Sequence, residues 1–200
     1  MLIAKGGRKF VGLSAAVSVL TLPFFVYVGL AFVVLTSFFI CVFRDPKREI
    51  GKGIVAPADG TVREVDHEKG LVSTYLALRN VHVTRTPIGG VVLRTTHQQG
   101  RHLPAFTKST TDNERVEISI KTNIGEVSII EMTGAIARRI VPYIREGQNL
   151  NKGEKLSLIR FGSRVDLYLP PSSVRILVSK GQRLHAGVTC IAEVCDGSVE

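Results

Sequence analysis

Val116-Glu-Ile-Ser-Ile-Lys-Thr122, then Asn123-Ile124, then Gly125-Glu-Val-Ser-Ile-Ile-Glu-Met132, is the stretch that sets the fold. Val116, Ile118 and Ile120 alternate with Glu117, Ser119 and Lys121, the period of a half-buried antiparallel strand. Asn123-Ile124-Gly125 is a turn signal, so the two runs read as a hairpin. Outward in both directions the same texture continues. Short runs rich in Val, Ile, Leu and Thr are separated by glycine turns, and no long 3.6-residue period appears. The further candidate strands are 53–56, 60–65, 72–78, 81–85, 90–96, 155–161, 164–169, 174–178 and 189–194. One helical turn is expected around 136–140. The soluble part is therefore mainly β. The turn-glycine rhythm of 54–65 and 178–191 is that of barrel-sandwich-hybrid domains of the lipoyl and biotinyl type.

The N-terminal part differs. Residues 10–43 hold no charged side chain, a run longer than the ~20 residues needed to span a bilayer. Pro23 lies inside the run, where it bends or breaks a helix. Lys5, Arg8 and Lys9 precede it, and Arg44, Lys47, Arg48 and Lys52 follow it. Basic flanks on both sides fit a helical hairpin with both ends cytoplasmic, with one tilted span as the alternative. The expected organisation is a membrane anchor at 1–43 and a β-rich domain at 44–200, linked by the polar stretch 45–52. The expected location is the cell membrane, with the β domain on its cytoplasmic side.

Composition narrows the function. Lys and Arg number 26 against 17 Asp and Glu, a net charge of +9. Much of that excess flanks the apolar run, where it suits anionic headgroups better than nucleic acid. Tryptophan is absent and aromatics are 6%, which weakens a base-stacking surface. Three cysteines rule out a disulfide-stapled scaffold, and no ligand spacing points to a metal. No glycine-rich nucleotide loop occurs.

Candidate chemistry lies at a few points. Gly162-Ser163 sits between two strand-like runs, as a simple kink or as a self-cleavage site. Glycine leaves its carbonyl open to attack, and a serine hydroxyl attacks once a base takes its proton. His82, in Val81-His-Val83, is flanked on both sides by apolar strand residues and is the candidate general base. His67, His97, His102 and His185 sit in polar, loop-like settings. Asp59, in Pro57-Ala-Asp-Gly60, is a turn residue that could orient an imidazole.

Several segments occur in a fixed order: Phe43-Arg-Asp-Pro-Lys-Arg48, Val55-Ala-Pro-Ala-Asp-Gly60, Asn80-Val-His-Val-Thr-Arg-Thr-Pro87, Leu103-Pro-Ala-Phe106 with Asn113-Glu-Arg115, Gly134-Ala-Ile-Ala-Arg-Arg-Ile140, and Gly153-Glu-Lys-Leu156 leading to Ile159-Arg-Phe-Gly-Ser-Arg-Val165. In these segments the chain resembles the phosphatidylserine decarboxylase proenzymes, most closely the short branch that includes archaetidylserine decarboxylases. The resemblance covers about 43–194.

The resemblance implies a pyruvoyl enzyme that decarboxylates a serine-headgroup phospholipid to the ethanolamine lipid. Ser163, with His82 as base and Asp59 behind it, would cleave the Gly162–Ser163 bond and become the pyruvoyl group. A β chain, 1–162, and an α chain, 163–200, would remain together as a heterodimer, with further oligomerisation left open. The pyruvoyl carbonyl would form a Schiff base with the lipid amine and act as electron sink. Arg115, Arg138 and Arg139 are the candidate anchors for phosphate and carboxylate. The longer bacterial pattern has a second histidine where this chain has Arg85, so His82 is expected to move the product proton as well. The non-enzymatic alternative is a membrane-tethered lipoyl- or biotinyl-like adaptor or carrier, with Lys180 as the nearest attachment point.

Overall fold

Alternating apolar residues need a partner for each strand and a cover for the buried face, and both are met by antiparallel pairing. The computed structural model describes residues 2–100, 113–134, 139–160 and 163–195. The chain divides into two compact units, Met1–Lys47 and Arg48–Glu200, a boundary inside the polar stretch 45–52.

In the first unit, β1 (Leu2–Ile3) pairs with β2 (Arg44–Asp45) and closes the ends of a helical hairpin. Its helices are α1 (Arg8–Thr21) and α2 (Val26–Val42), broken apart around Pro23 as its ring demands. Thr36 donates to the Ser14 hydroxyl at 3.0 Å, and Ser18 donates to the Gly29 carbonyl at 3.3 Å. A Cβ on Gly29 would lie 2.5 Å from the Leu22 backbone, so only glycine permits this approach. Phe10 stacks on Phe43 with centroids 5.7 Å apart. The single tilted span is not formed. Nor is any described helix long and apolar enough to cross a membrane, because the break leaves helices of 14 and 17 residues. At 1.5 Å per residue both fall short of ~30 Å of hydrocarbon.

In the second unit the strands are β3 (Ile54–Val55), β4 (Gly60–Asp66), β5 (Leu71–Leu76), β6 (Val83–Arg85), β7 (Gly90–Gln98), β8 (Arg115–Thr122), β9 (Gly125–Thr133), β10 (Ile140–Pro142), β11 (Asn149–Leu150), β12 (Lys155–Ile159), β13 (Ser163–Tyr168), β14 (Val174–Ile176), β15 (Arg183–Leu184) and β16 (Cys190–Val194). Among the described residues they form an eight-stranded sheet, β11-β7-β8-β9-β13-β5-β4-β15, and two three-stranded sheets, β10-β12-β6 and β14-β16-β3. The unit is mainly β, as expected. The quoted hairpin is β8 and β9, paired from Arg115↔Met132 to Thr122↔Gly125, with Gly125 at φ +111° after the turn.

Directly paired residues share a face of a sheet. Val116, Ile118, Ile120, Val127, Ile129, Val165, Leu167, Val72 and Leu76 therefore point inward together, and all are buried. Ile54, Ile159 and Ile191, from the two smaller sheets, join the same core. Each such side chain contributes roughly 1.5–3 kcal/mol by leaving water.

Three expectations need correcting. Ile140 opens strand β10, paired with Ile159, so the helical turn expected at 136–140 does not reach it. The rest of that turn lies outside the described residues. His97 lies in β7 opposite Val116, because the strand runs on past Thr96. The two-residue strands β11 and β15 were not expected, since so short a run carries no period.

Candidate active site

Ser163 begins β13, the strand between β5 and β9, paired on one side with Leu76 and on the other with Thr133. The register turns its side chain to the core face, where it is wholly buried. Its Oγ has no hydrogen-bond partner among the described residues. A hydroxyl in that condition costs about 1–3 kcal/mol. Gly162, the other half of the candidate link, lies outside the described residues.

His82 is wholly buried and leads into β6. Its carbonyl accepts the Ile159 N–H at 3.0 Å, at the end of the strand that precedes Ser163. Beside it, Arg85 reaches back to the Gly153 carbonyl at 3.0 Å and is itself buried. Asp59 sits at the turn before β4. One carboxylate oxygen accepts from Arg48 at 2.8 Å, and the other accepts the Ala186 N–H at 2.8 Å. The imidazole at ion-pair distance from Asp59 is that of His185, Nδ1 at 3.9 Å. Arg48 and His185 were not picked out from sequence, because contacts so distant along the chain leave no local pattern.

The candidate anion binders fall in different places. Arg115 pairs with Met132, and so stands on the sheet face opposite Ser163, where its Nε donates to Gln98 at 2.8 Å. Arg138 lies outside the described residues, as does the Leu103–Phe106 segment. Arg139 is exposed, and its carbonyl accepts the Arg160 N–H at 3.2 Å. Arg160 is a residue the sequence reading passed over. Burial lowers the pKa of its guanidinium, the like charge of Arg139 lowers it further, and Tyr143 opposes both. An oxyanion would relieve this like-charge repulsion, and in sequence Arg160 stands two residues before Gly162.

Glu131 is the other residue passed over. It is wholly buried on β9, opposite Val165, and is bonded by the Thr84 hydroxyl at 2.6 Å and the Ser157 hydroxyl at 2.5 Å. Burial pushes its carboxyl up to about 7, against the pull of the two hydroxyls. The signal was present in the sequence: Val127, Ile129 and Glu131 share one strand face, so a carboxyl falls where the period demands an apolar residue.

Comparison with known proteins bears on this geometry. Residues 35–192 match the family described as phosphatidylserine decarboxylase. A Streptomyces coelicolor protein named phosphatidylserine decarboxylase proenzyme is 46% identical over 153 residues, covering 74% of this chain and 70% of its own. A Methanosarcina barkeri protein named "Putative archaetidylserine decarboxylase proenzyme" is 39% identical over 188 residues, covering 92% and 90%. A Carboxydothermus hydrogenoformans phosphatidylserine decarboxylase proenzyme is 39% identical over 181 residues, covering 84% and 85%. With a match of that extent, and a buried serine at the centre of its sheet, the chain belongs to the phosphatidylserine decarboxylase family.

Proposed function

We propose that this chain is a proenzyme that cuts its own Gly162–Ser163 bond and then decarboxylates a serine-headgroup phospholipid. The observation that carries the proposal is the Ser163 hydroxyl, wholly buried and without a hydrogen-bond partner among the described residues. A buried hydroxyl committed to no other bond is available to give its proton to a base and attack the preceding carbonyl, so the residue present fits a pyruvoyl precursor.

The chemistry balances without outside reagents other than water. His82 takes the Ser163 proton, and Oγ adds to the Gly162 carbonyl. The amide nitrogen leaves, giving an ester. Elimination returns a carboxylate at residue 162 and a dehydroalanine at 163, and water releases its nitrogen as ammonia. The resulting pyruvoyl group supplies an electron sink for loss of carbon dioxide from an amino-acid headgroup. His82 then serves a second time and delivers the product proton, since Arg85 stands where a second histidine would. Asp59 is the acid assigned to orient His82, and its carboxylate is held by Arg48 and the Ala186 N–H with the His185 imidazole 3.9 Å away. Arg139 and Arg160 bind the headgroup phosphate and carboxylate, joined by Arg138, while Arg115, on the opposite sheet face, takes no part.

Two wider readings belong with this proposal. The second unit is a barrel-sandwich hybrid, and after scission the two pieces of the chain, 1–162 and 163–200, stay together as a heterodimer. The support is that β13 is bonded on both sides by strands from the first piece. The helical hairpin enters the cell membrane from its cytoplasmic side without crossing. Exposed Leu13, Tyr27 and Val34, with no charge between 10 and 43, support that placement.

An intact-mass spectrum of the purified protein tests the central reading. Two chains, the shorter starting with a ketoacyl group at 163, are expected, and Ser163→Ala is expected to give one uncut chain. A wild type that stays whole rejects it, and a lipoate- or biotin-sized addition on Lys180 would point to a carrier. Vesicle flotation tests the membrane reading: Leu13→Glu with Val34→Glu should release the protein from anionic vesicles without slowing scission.

A further inference from the structure

The side chains of Glu131, Thr84 and Ser157 make three short oxygen–oxygen contacts, and the Ser157 carbonyl lies farther off, 3.5 Å from the Thr84 hydroxyl. Glu131 Oε1 lies 2.6 Å from the Thr84 hydroxyl, Glu131 Oε2 lies 2.5 Å from the Ser157 hydroxyl, and the two hydroxyls lie 2.9 Å apart. Counting protons decides the state of the group. Each hydroxyl brings one proton. With an ionised carboxylate, two protons serve three contacts, and one pair of oxygens is left facing without a hydrogen. With a carboxylic acid the third proton closes a ring. The acid O–H donates to one hydroxyl, that hydroxyl donates to the other, and the last donates back to the free carboxyl oxygen. All three contacts are then hydrogen bonds, and no charge is buried.

The ring joins strands of two sheets. Glu131 belongs to β9, whose Thr133 stands opposite Ser163. Thr84 belongs to β6, which His82 leads into, and Ser157 belongs to β12, whose Ile159 bonds the His82 carbonyl. We propose that Glu131 is a positioning residue for the reaction at Ser163, a neutral acid whose hydrogen-bond ring with Thr84 and Ser157 fixes the His82 strand against the Ser163 strand. This rests on the reading of Ser163 and His82 given above.

Ionisation of Glu131 opens the ring, so positioning is lost as pH rises through neutrality. Other titratable groups stand on its own strand and on the elements packed beside it. His82 and Arg85 come from β6 and its approach, and Arg85 is held by the Gly153 carbonyl. Lys155 lies at the start of β12. Glu114 precedes β8 and is bonded to His97 of β7 at 2.8 Å. Glu126 stands at the start of β9 and is bonded by Ser119. On β13, Arg164 and Asp166 pair with each other at 2.7 Å on the opposite face.

The test compares wild type with Glu131→Gln, whose amide both donates and accepts and so keeps the ring closed at every pH. Scission of freshly made full-length chain is followed by gel from about pH 5.5 to about pH 9. Wild type should show an alkaline fall that the variant lacks, so that their rate ratio changes about tenfold above neutrality. Profiles of the same shape overturn the proposal. Should Glu131→Gln not fold, infrared titration of the uncut Ser163→Ala chain decides. A protonated-carboxyl band lost near neutrality is expected, with its midpoint moved upward by Thr84→Val. No such band in mild acid, or a midpoint Thr84→Val leaves in place, overturns it. Wild type that is never cut at any pH would reject the reading of Ser163, and the infrared titration would still judge the ring.

Discussion

Asp59 and Ala186 are joined by a 2.8 Å hydrogen bond from the Ala186 amide to the Asp59 carboxylate, and Arg48 holds the other carboxylate oxygen at 2.8 Å. The Arg48 and Asp59 side chains are 9% and 7% exposed, so neither can turn to water if the other is lost. Removing one partner of such a pair costs about 3 kcal/mol. Arg48→Ala and Asp59→Ala, each in the uncut Ser163→Ala background, should lower urea-unfolding stability by that order. The double variant should lose clearly less than their sum. Additive losses would show that the pair is not coupled.

The unpartnered Ser163 hydroxyl makes a prediction in the opposite sense. His82→Ala should slow scission by a factor of about 100 or more and leave the chain whole. In that whole chain, adding Ser163→Ala should raise stability by about 1 kcal/mol, because a buried hydroxyl without a bond is removed. A loss of stability of similar size would mean the hydroxyl is satisfied after all.

The pKa of Glu131 sets a pH dependence of folding. It is raised from 4.5 to about 7, so the folded chain holds this proton more tightly than the unfolded chain. Its contribution is full below the unfolded value and is lost as pH rises through the folded one. At ~1.4 kcal/mol per pH unit the loss is about 3 kcal/mol, complete a little above neutrality. The difference in unfolding free energy between Ser163→Ala and Ser163→Ala with Glu131→Gln should follow that slope. A flat difference would contradict it.

Arg139 and Arg160 are expected to act on binding. Arg139→Ala or Arg160→Ala should raise KM for the serine phospholipid about tenfold with kcat within about twofold, and leave scission intact. A fall in kcat at unchanged KM would remove them from the headgroup site.

The strands were legible because their apolar residues alternate, as in Val116, Ile118 and Ile120, and because glycine turns mark their ends. Ser163, read from sequence as lying between two runs, is the first residue of β13, and its pairing with Thr133 and Leu76 turns it to the inner face. Strands β11 and β15 were not legible, since two residues carry no alternation. The helix break at Pro23 could be read, but the lengths left on either side could not, because packing of Ser18 on Gly29 sets where the hairpin turns. Arg48 beside Asp59 and Thr84 beside Glu131 depend on strands meeting across the fold, which no local pattern reports.

The placement of β13 between β5 and β9 has a further consequence. A strand bonded along both edges cannot be drawn out without opening the sheet on both sides. Scission at its first residue would therefore yield partners born in equal number, from one translation product, that neither dilution nor subunit exchange would part. Supplying the same pieces from two separate genes would not replace the single chain, because the bond whose breakage creates the new terminus would never have existed.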